Sequence, residues 1–256
     1  EGKIISKKTM FDMGRIDSEK MYNNIQKLNW RNINDGKIYI DEQTQKNSIS
    51  MRNNLLRLAE TFSKEKWIKT FQQSFKISNA TEGISLYIHL PFCESLCTFC
   101  ACHKQITKRH EVENPYIETI LKEWNLYINL VDEIPIIKEI HLGGGTPTFF
   151  SSEQLKKLIR GILKKAAKHP DHEFSFEGHS NNTSKEHLQT MYNLGFTRVS
   201  FGVQDYNLKV QEAIHRVQPF KNVEKAHNLA KEIGYTSISH DLVFGLPFQT
   251  RRNEVR

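Results

Sequence analysis

Four cysteines, Cys93, Cys97, Cys100 and Cys102, fall within ten residues in the order C-x3-C-x2-C-x-C, and they are all the cysteines the chain has. Three chemistries use thiols at such spacing. Disulfide pairs fit poorly, because the first residues carry no export signal and disulfides persist in oxidising compartments. A zinc site remains open, with His103 as a further donor, although zinc usually takes two separated ligand pairs. An iron–sulfur cluster suits thiolates crowded on one loop, since they can converge on several irons of one small object. Three ligands from C-x3-C-x2-C would leave one iron of a four-iron cluster free to bind something else.

The elements that must position this loop alternate regularly. A β-type run, Ser85 to Leu90, leads into the cysteines. A helical face of Ile117, Ile120, Leu121, Trp124 and Ile128 follows. A second run, Ile137 to Leu142, ends in Gly143-Gly144-Gly145. Next comes a helix opened by Ser151, with Gln154 at capping-box spacing and Leu155, Leu158, Ile159 and Ile162 as its core face. The strand Glu173 to Glu177, a helix around Leu188 and Met191, and the strand Arg198 to Val203 continue the pattern. Two short helices, around Val210 to Ile214 and Val223 to Ile233, precede the strand Ser237 to Phe244. This order predicts an α/β body of parallel strands in an open or barrel-like sheet, with its chemistry at the strands' C-terminal ends.

The chain has 256 residues, 36 Lys+Arg, 29 Asp+Glu and a formal net charge of +7. Residues 1–80 hold 15 of the basic and 9 of the acidic residues, leaving +1 for the rest. The excess lacks the aromatic interleaving of a nucleic-acid groove, so no nucleic-acid partner is expected. All seven prolines, eleven histidines and four cysteines lie after residue 80. The chain therefore reads as a polar helical region, 1–80, and a compact body, 81–256. In the first, Trp67, Ile68, Phe71 and Phe75 recur at helical spacing, as Leu55, Leu56 and Leu58 do more weakly, and dock the region on the body. No apolar stretch approaches the roughly 18 residues of a membrane span, and a cytoplasmic location is expected.

The segment Tyr87 to Cys102 resembles the cluster loop of the radical S-adenosylmethionine (SAM) enzymes, and closely that of the oxygen-independent coproporphyrinogen III oxidase family. The resemblance continues through His141 to Thr148, Phe174 to Glu177, Ser200 to Asp205 and Asp241 to Pro247, covering residues 84–250 in unbroken order. It implies a partial parallel (β/α) barrel of the radical SAM type, with about five of six units present and an N-terminal helical leader. The reaction implied is the oxidative decarboxylation of coproporphyrinogen III to protoporphyrinogen IX in haem biosynthesis. The alternatives are a related radical enzyme acting on haem or another tetrapyrrole, or a cluster- or haem-binding protein without turnover.

The same resemblance assigns the residues. Cys93, Cys97 and Cys100 would hold a [4Fe–4S] cluster, and S-adenosylmethionine, in one or two copies, would chelate its open iron. Gly144, Gly145, Thr146, Glu177, Gln204, Arg216 and Asp241 would bind the nucleoside, with Phe99 along its adenine. Tyr87 would lie beside cluster and ligand, and Tyr87 and Cys102 would serve the reaction. A flavodoxin or ferredoxin would supply electrons. The chain departs from the family pattern at Ala101, His103, Gly178-His179-Ser180 and His240. It also stops at Arg256, after its fifth strand, so the body is expected to be truncated and unable to complete the porphyrinogen reaction.

Overall fold

The computed structural model describes residues 63–250. The chain divides into two units between Thr70 and Phe71, and the sheet and the cysteine loop belong entirely to the second. The periodicity at Trp67, Ile68, Phe71 and Phe75 produces helix α1, Lys64–Ala80, with Phe75 buried. The weaker repeat at Leu55, Leu56 and Leu58 lies outside the described residues.

Five parallel strands form the sheet: β1 Ile84–Leu90, β4 Ile136–Gly144, β5 Ala167–Gly178, β6 Phe196–Gln204 and β7 Ser237–Leu242. They lie in chain order, β1-β4-β5-β6-β7, without the reversal of a doubly wound sheet. This is the order of a (β/α) barrel left open, since among the described residues β1 and β7 each have a neighbour on one side only. A two-residue pair, β2 Phe92–Cys93 with β3 Gln105–Ile106, ties off the base of the cysteine loop.

Consecutive crossover helices pack against one another: α2 Glu113–Ile128 on α3 Ser152–Leu163, α3 on α4 Lys185–Leu194, and α4 on α6 Phe220–Ile233. They therefore share one face of the sheet. In α3 the spacing puts Leu155, Leu158, Ile159 and Ile162 on one stripe, and all four are buried. Each such burial stabilises the fold by roughly 1.5–3 kcal/mol. Beneath them Phe174, Phe176, Phe196 and Phe201 fill the middle of the sheet at no exposure.

Several boundaries differ from the sequence reading. β5 begins at Ala167 because Ile136 and Ile137 pair with Ala167 and Lys168, before Glu139 pairs with Glu173. Residues 169–172 bulge out of the ladder, which is where Pro170, lacking an N–H, is tolerated. β7 stops at Leu242 because Val243 turns its N–H onto the Gln204 carbonyl at 3.0 Å. Helix α6 has 14 residues and is not short, running from Pro219 as N-cap to Gly234 in the left-handed region. Ser151 accepts from the Gln154 N–H, but only half of the anticipated capping box forms, with Gln154 Oε1 buried and unpaired. The complete box is Ser184 with His187, at the start of α4.

Candidate active site at the C-terminal strand ends

The turn after β4 is shaped by its approach to the cysteine segment. The Gly145 N–H donates to the Leu90 carbonyl at 2.9 Å and the Thr146 N–H to Phe92 at 3.0 Å. A Cβ on Gly145 would sit 2.5 Å from the Pro91 carbonyl oxygen. Gly144 has φ of +119°, and its Cβ would meet the His89 ring at 2.8 Å. The sequence suggests that these glycines make room for a ligand. What they admit in the structure is the chain's own Pro91 and His89, although both glycines also line the adjoining pocket.

That pocket, about 370 Å3, is lined by Cys93, Cys97, Cys100 and Cys102, by Gly144, Gly145 and Thr146, and by Phe99, Glu177, Gln204, Arg216 and Asp241. The sequence-derived site residues thus converge on one cavity, with one exception. Tyr87 is 61% exposed and lies outside this lining, its ring stacked on His141 at 5.9 Å and its hydroxyl 3.1 Å from His89 Nδ1. It remains close enough that burial, Glu177 and Cys102 together push its hydroxyl pKa up.

All four thiols are free; Cys97 is buried and Cys102 exposed. The Cys93 thiol lies 3.3 Å from the Thr146 hydroxyl, and burial above all pushes its pKa up, against that hydrogen bond. Burial first, and then Cys100, also raises Cys102. Among the described residues no group of three or more His, Cys, Asp or Glu converges on one point as the ligands of a single ion do.

The β6 side of the pocket is strained. Gln204, the last residue of β6, has φ of +71°, and His215 beside Arg216 has φ of +54°. Non-glycine residues hold such conformations only where their surroundings force them. Arg216 is not a free fork: Nε and Nη2 donate to the Gly202 carbonyl at 2.9 and 2.6 Å, and Nη1 reaches Cys97 Sγ at 3.4 Å. Glu177 approaches His141 Nε2 at 3.4 Å, and Asp241 is exposed at the rim.

Three residues around the site have no motif to announce them. Lys104 is buried and donates to the carbonyls of Cys100 and Cys102 at 2.6 and 3.2 Å, fixing the loop's return. Gln218, fully buried, donates to the Gly202 carbonyl and accepts from Ser180, both at 2.8 Å. His179 lines the pocket, and burial with the nearby Arg216 guanidinium lowers its pKa to about 3. The one sequence signal for these three was the departure at Gly178-His179-Ser180.

Residues 87–255 match the model of the radical SAM superfamily. The chain belongs to the radical SAM superfamily. Oxygen-independent coproporphyrinogen III oxidase of Helicobacter pylori strain J99 is 42% identical over 193 residues, covering 75% of this chain and 42% of the relative. The enzyme of the same name from Synechocystis is 33% identical over 180 residues, covering 70% and 39%. Among solved structures, coproporphyrinogen III oxidase from Escherichia coli, described as a radical SAM enzyme, superposes with a TM-score of 0.68 at 31% identity, covering 75% of this chain and 43% of that one. This radical SAM chain thus spans about two fifths of the length of these relatives. The superposition agrees with the parallel sheet in chain order, and no described helix is long and apolar enough to cross a membrane.

Proposed function

We propose that the protein takes part in the oxygen-independent oxidative decarboxylation of coproporphyrinogen III to protoporphyrinogen IX, as a radical SAM oxidoreductase of haem biosynthesis. The observation that carries this reading is that three free thiols in C-x3-C-x2-C order, a glycine turn and an arginine line one cavity of about 370 Å3. That volume lies within the roughly 300–1,000 Å3 of small-molecule sites. The donor set fits a [4Fe–4S] cluster: Cys93, Cys97 and Cys100 supply thiolates from different points of one wall, and Lys104 and Thr146 fix the loop and the Cys93 thiol.

Cys93, Cys97 and Cys100 would hold the cluster, and Glu177, Gln204, Arg216 and Asp241 would surround S-adenosylmethionine, in one or two copies. Together these groups supply one-electron chemistry that begins with hydrogen abstraction. The chain's own residues bind, orient and exclude water. Arg216 Nη1 donates toward the Cys97 sulfur at 3.4 Å and so helps to orient that ligand. Phe99 packs on Val210, Ile214 and Leu246, so it presents an apolar wall between two cluster cysteines. Glu177 and Asp241 add negative charge at the ends of β5 and β7, suited to an ammonium group and ribose hydroxyls. Tyr87 and Cys102, toward the outer side, would meet the tetrapyrrole. Free thiols suit a reducing cytoplasm, with a flavodoxin or ferredoxin as donor.

The test is anaerobic reconstitution with iron and sulfide, followed by incubation with coproporphyrinogen, reductant and S-adenosylmethionine. One four-iron cluster per chain and release of 5′-deoxyadenosine above a Cys97→Ser control are expected. Cys97→Ser should lose the cluster entirely while Cys102→Ser keeps it. Zinc at one equivalent with no iron–sulfur chromophore, or identical behaviour of the two variants, would refute the assignment.

A further inference from the structure

His179 sits one residue beyond Gly178, the last residue of β5, with its ring in the wall of the cysteine pocket. Its Nδ1 accepts the backbone N–H of Asn181 at 3.2 Å. A neutral imidazole that accepts at Nδ1 must carry its proton on Nε2. Nε2 has no hydrogen-bond partner among the described residues, and the ring belongs to the cavity lining, so this N–H is available to a ligand. The ring also stays neutral over the working range, because burial and Arg216 hold its pKa at about 3. It is therefore a donor whose strength does not change with pH.

Its neighbour Arg216 has one edge already taken. Nε and Nη2 each give an N–H to the Gly202 carbonyl and Nη1 reaches Cys97 Sγ, which leaves one further N–H on each of Nη1 and Nη2 for a ligand. A carboxylate has two oxygens and is bound best by two convergent donors. Of the groups on a sulfonium nucleoside amino acid, the ammonium and sulfonium are cationic and disfavoured beside Arg216. The adenine and hydroxyls carry no charge to match it.

We infer that His179 is a ligand-binding residue, its Nε2–H donating to the carboxylate of the bound nucleoside alongside the N–H groups that Arg216 keeps free. The inference rests on the function proposed above and goes beyond it, since it assigns the carboxylate to a histidine at a position where this chain departs from the family pattern.

The experiment is anaerobic calorimetry on the reconstituted full chain with two probes, S-adenosylmethionine and its decarboxylated analogue. Wild type is expected to bind S-adenosylmethionine more tightly. His179→Phe, which keeps the ring's bulk without the donor, should weaken S-adenosylmethionine by roughly tenfold or more while leaving the analogue unchanged. His179→Gln, which keeps an N–H, should recover part of the loss. A purely structural role through the Asn181 contact would weaken both probes equally, and that result, or an unchanged affinity for S-adenosylmethionine, overturns the inference. A wild type that binds neither probe overturns the functional reading itself. Iron content and circular dichroism of each variant confirm that the comparison is between folded, loaded proteins.

Discussion

The two flanks of the pocket are built by opposite means. On the β1–β4 side the chain is held by close backbone contact, Gly144 and Gly145 lying where no Cβ fits against His89 and Pro91. On the β6 side it is held by a buried polar network in which Gln218, Gln211, Ser180 and Arg216 gather around the Gly202 carbonyl and its neighbours. Close packing tolerates no added atom, whereas a polar network tolerates shape changes but no lost partner. The first flank fixes the cysteine loop, and the second sets the charge that a ligand meets.

The largest effect should come from adding one carbon to the first flank. Gly145→Ala would bring Cβ to 2.5 Å from the Pro91 carbonyl, with backbone on both sides and no flexible side chain to yield. A stability loss of about 3 kcal/mol or more is expected, read as a lower denaturant midpoint. A midpoint within experimental error of wild type would show that the two segments are not locked together.

The second flank should fail through deletion. Gln218→Leu keeps the volume but leaves the Ser180 hydroxyl and the Val203 carbonyl without this partner. Gly202 keeps Arg216, so the cost should be about 2–3 kcal/mol. A much smaller cost in chemical denaturation would mean that Arg216 alone holds this side.

The smallest effect is one of pH, and it too belongs to the second flank. The unfolded chain protonates His179 near 6.5 and the fold only near 3. Below pH 6.5 the unfolded state therefore binds more protons. The contribution is fully present above 6.5 and is lost as pH falls toward 3. Between pH 7.5 and 5 the wild type should lose about 2 kcal/mol more than His179→Gln, which has no proton to take up. Parallel denaturation curves for both proteins at the two pH values check this, and equal losses would place the ring in solvent.

The contrast between the flanks also explains what the sequence could reveal. The first flank was legible because cysteines and consecutive glycines are rare and their roles local; so were β1, β4 and the face of α3, where apolar spacing matches burial. The second flank was not, since its glutamines are ordinary residues whose partners lie up to 38 positions away. Arg216 lines the cysteine pocket, but its turn onto Gly202, beside His215 at φ +54°, is something no spacing foretells. Tyr87 was set beside cluster and ligand by the resemblance alone, and strand alternation directs its ring toward His141.

Phe99 and Val243 rest on a cluster of three buried residues, Val210, Ile214 and Leu246, separate from the large core under the sheet. Thr98 is pinned to the same place through the Ile214 carbonyl at 3.1 Å. Three side chains contribute roughly 5–9 kcal/mol of gross burial, at roughly 1.5–3 each, far less than the sheet's own core. The tip of the cysteine loop is thus anchored by far fewer apolar side chains than the strands, and amide exchange at Thr98 is expected to be faster than in β4 and β5. An opening there would admit iron and sulfide to the thiols, and oxygen by the same route.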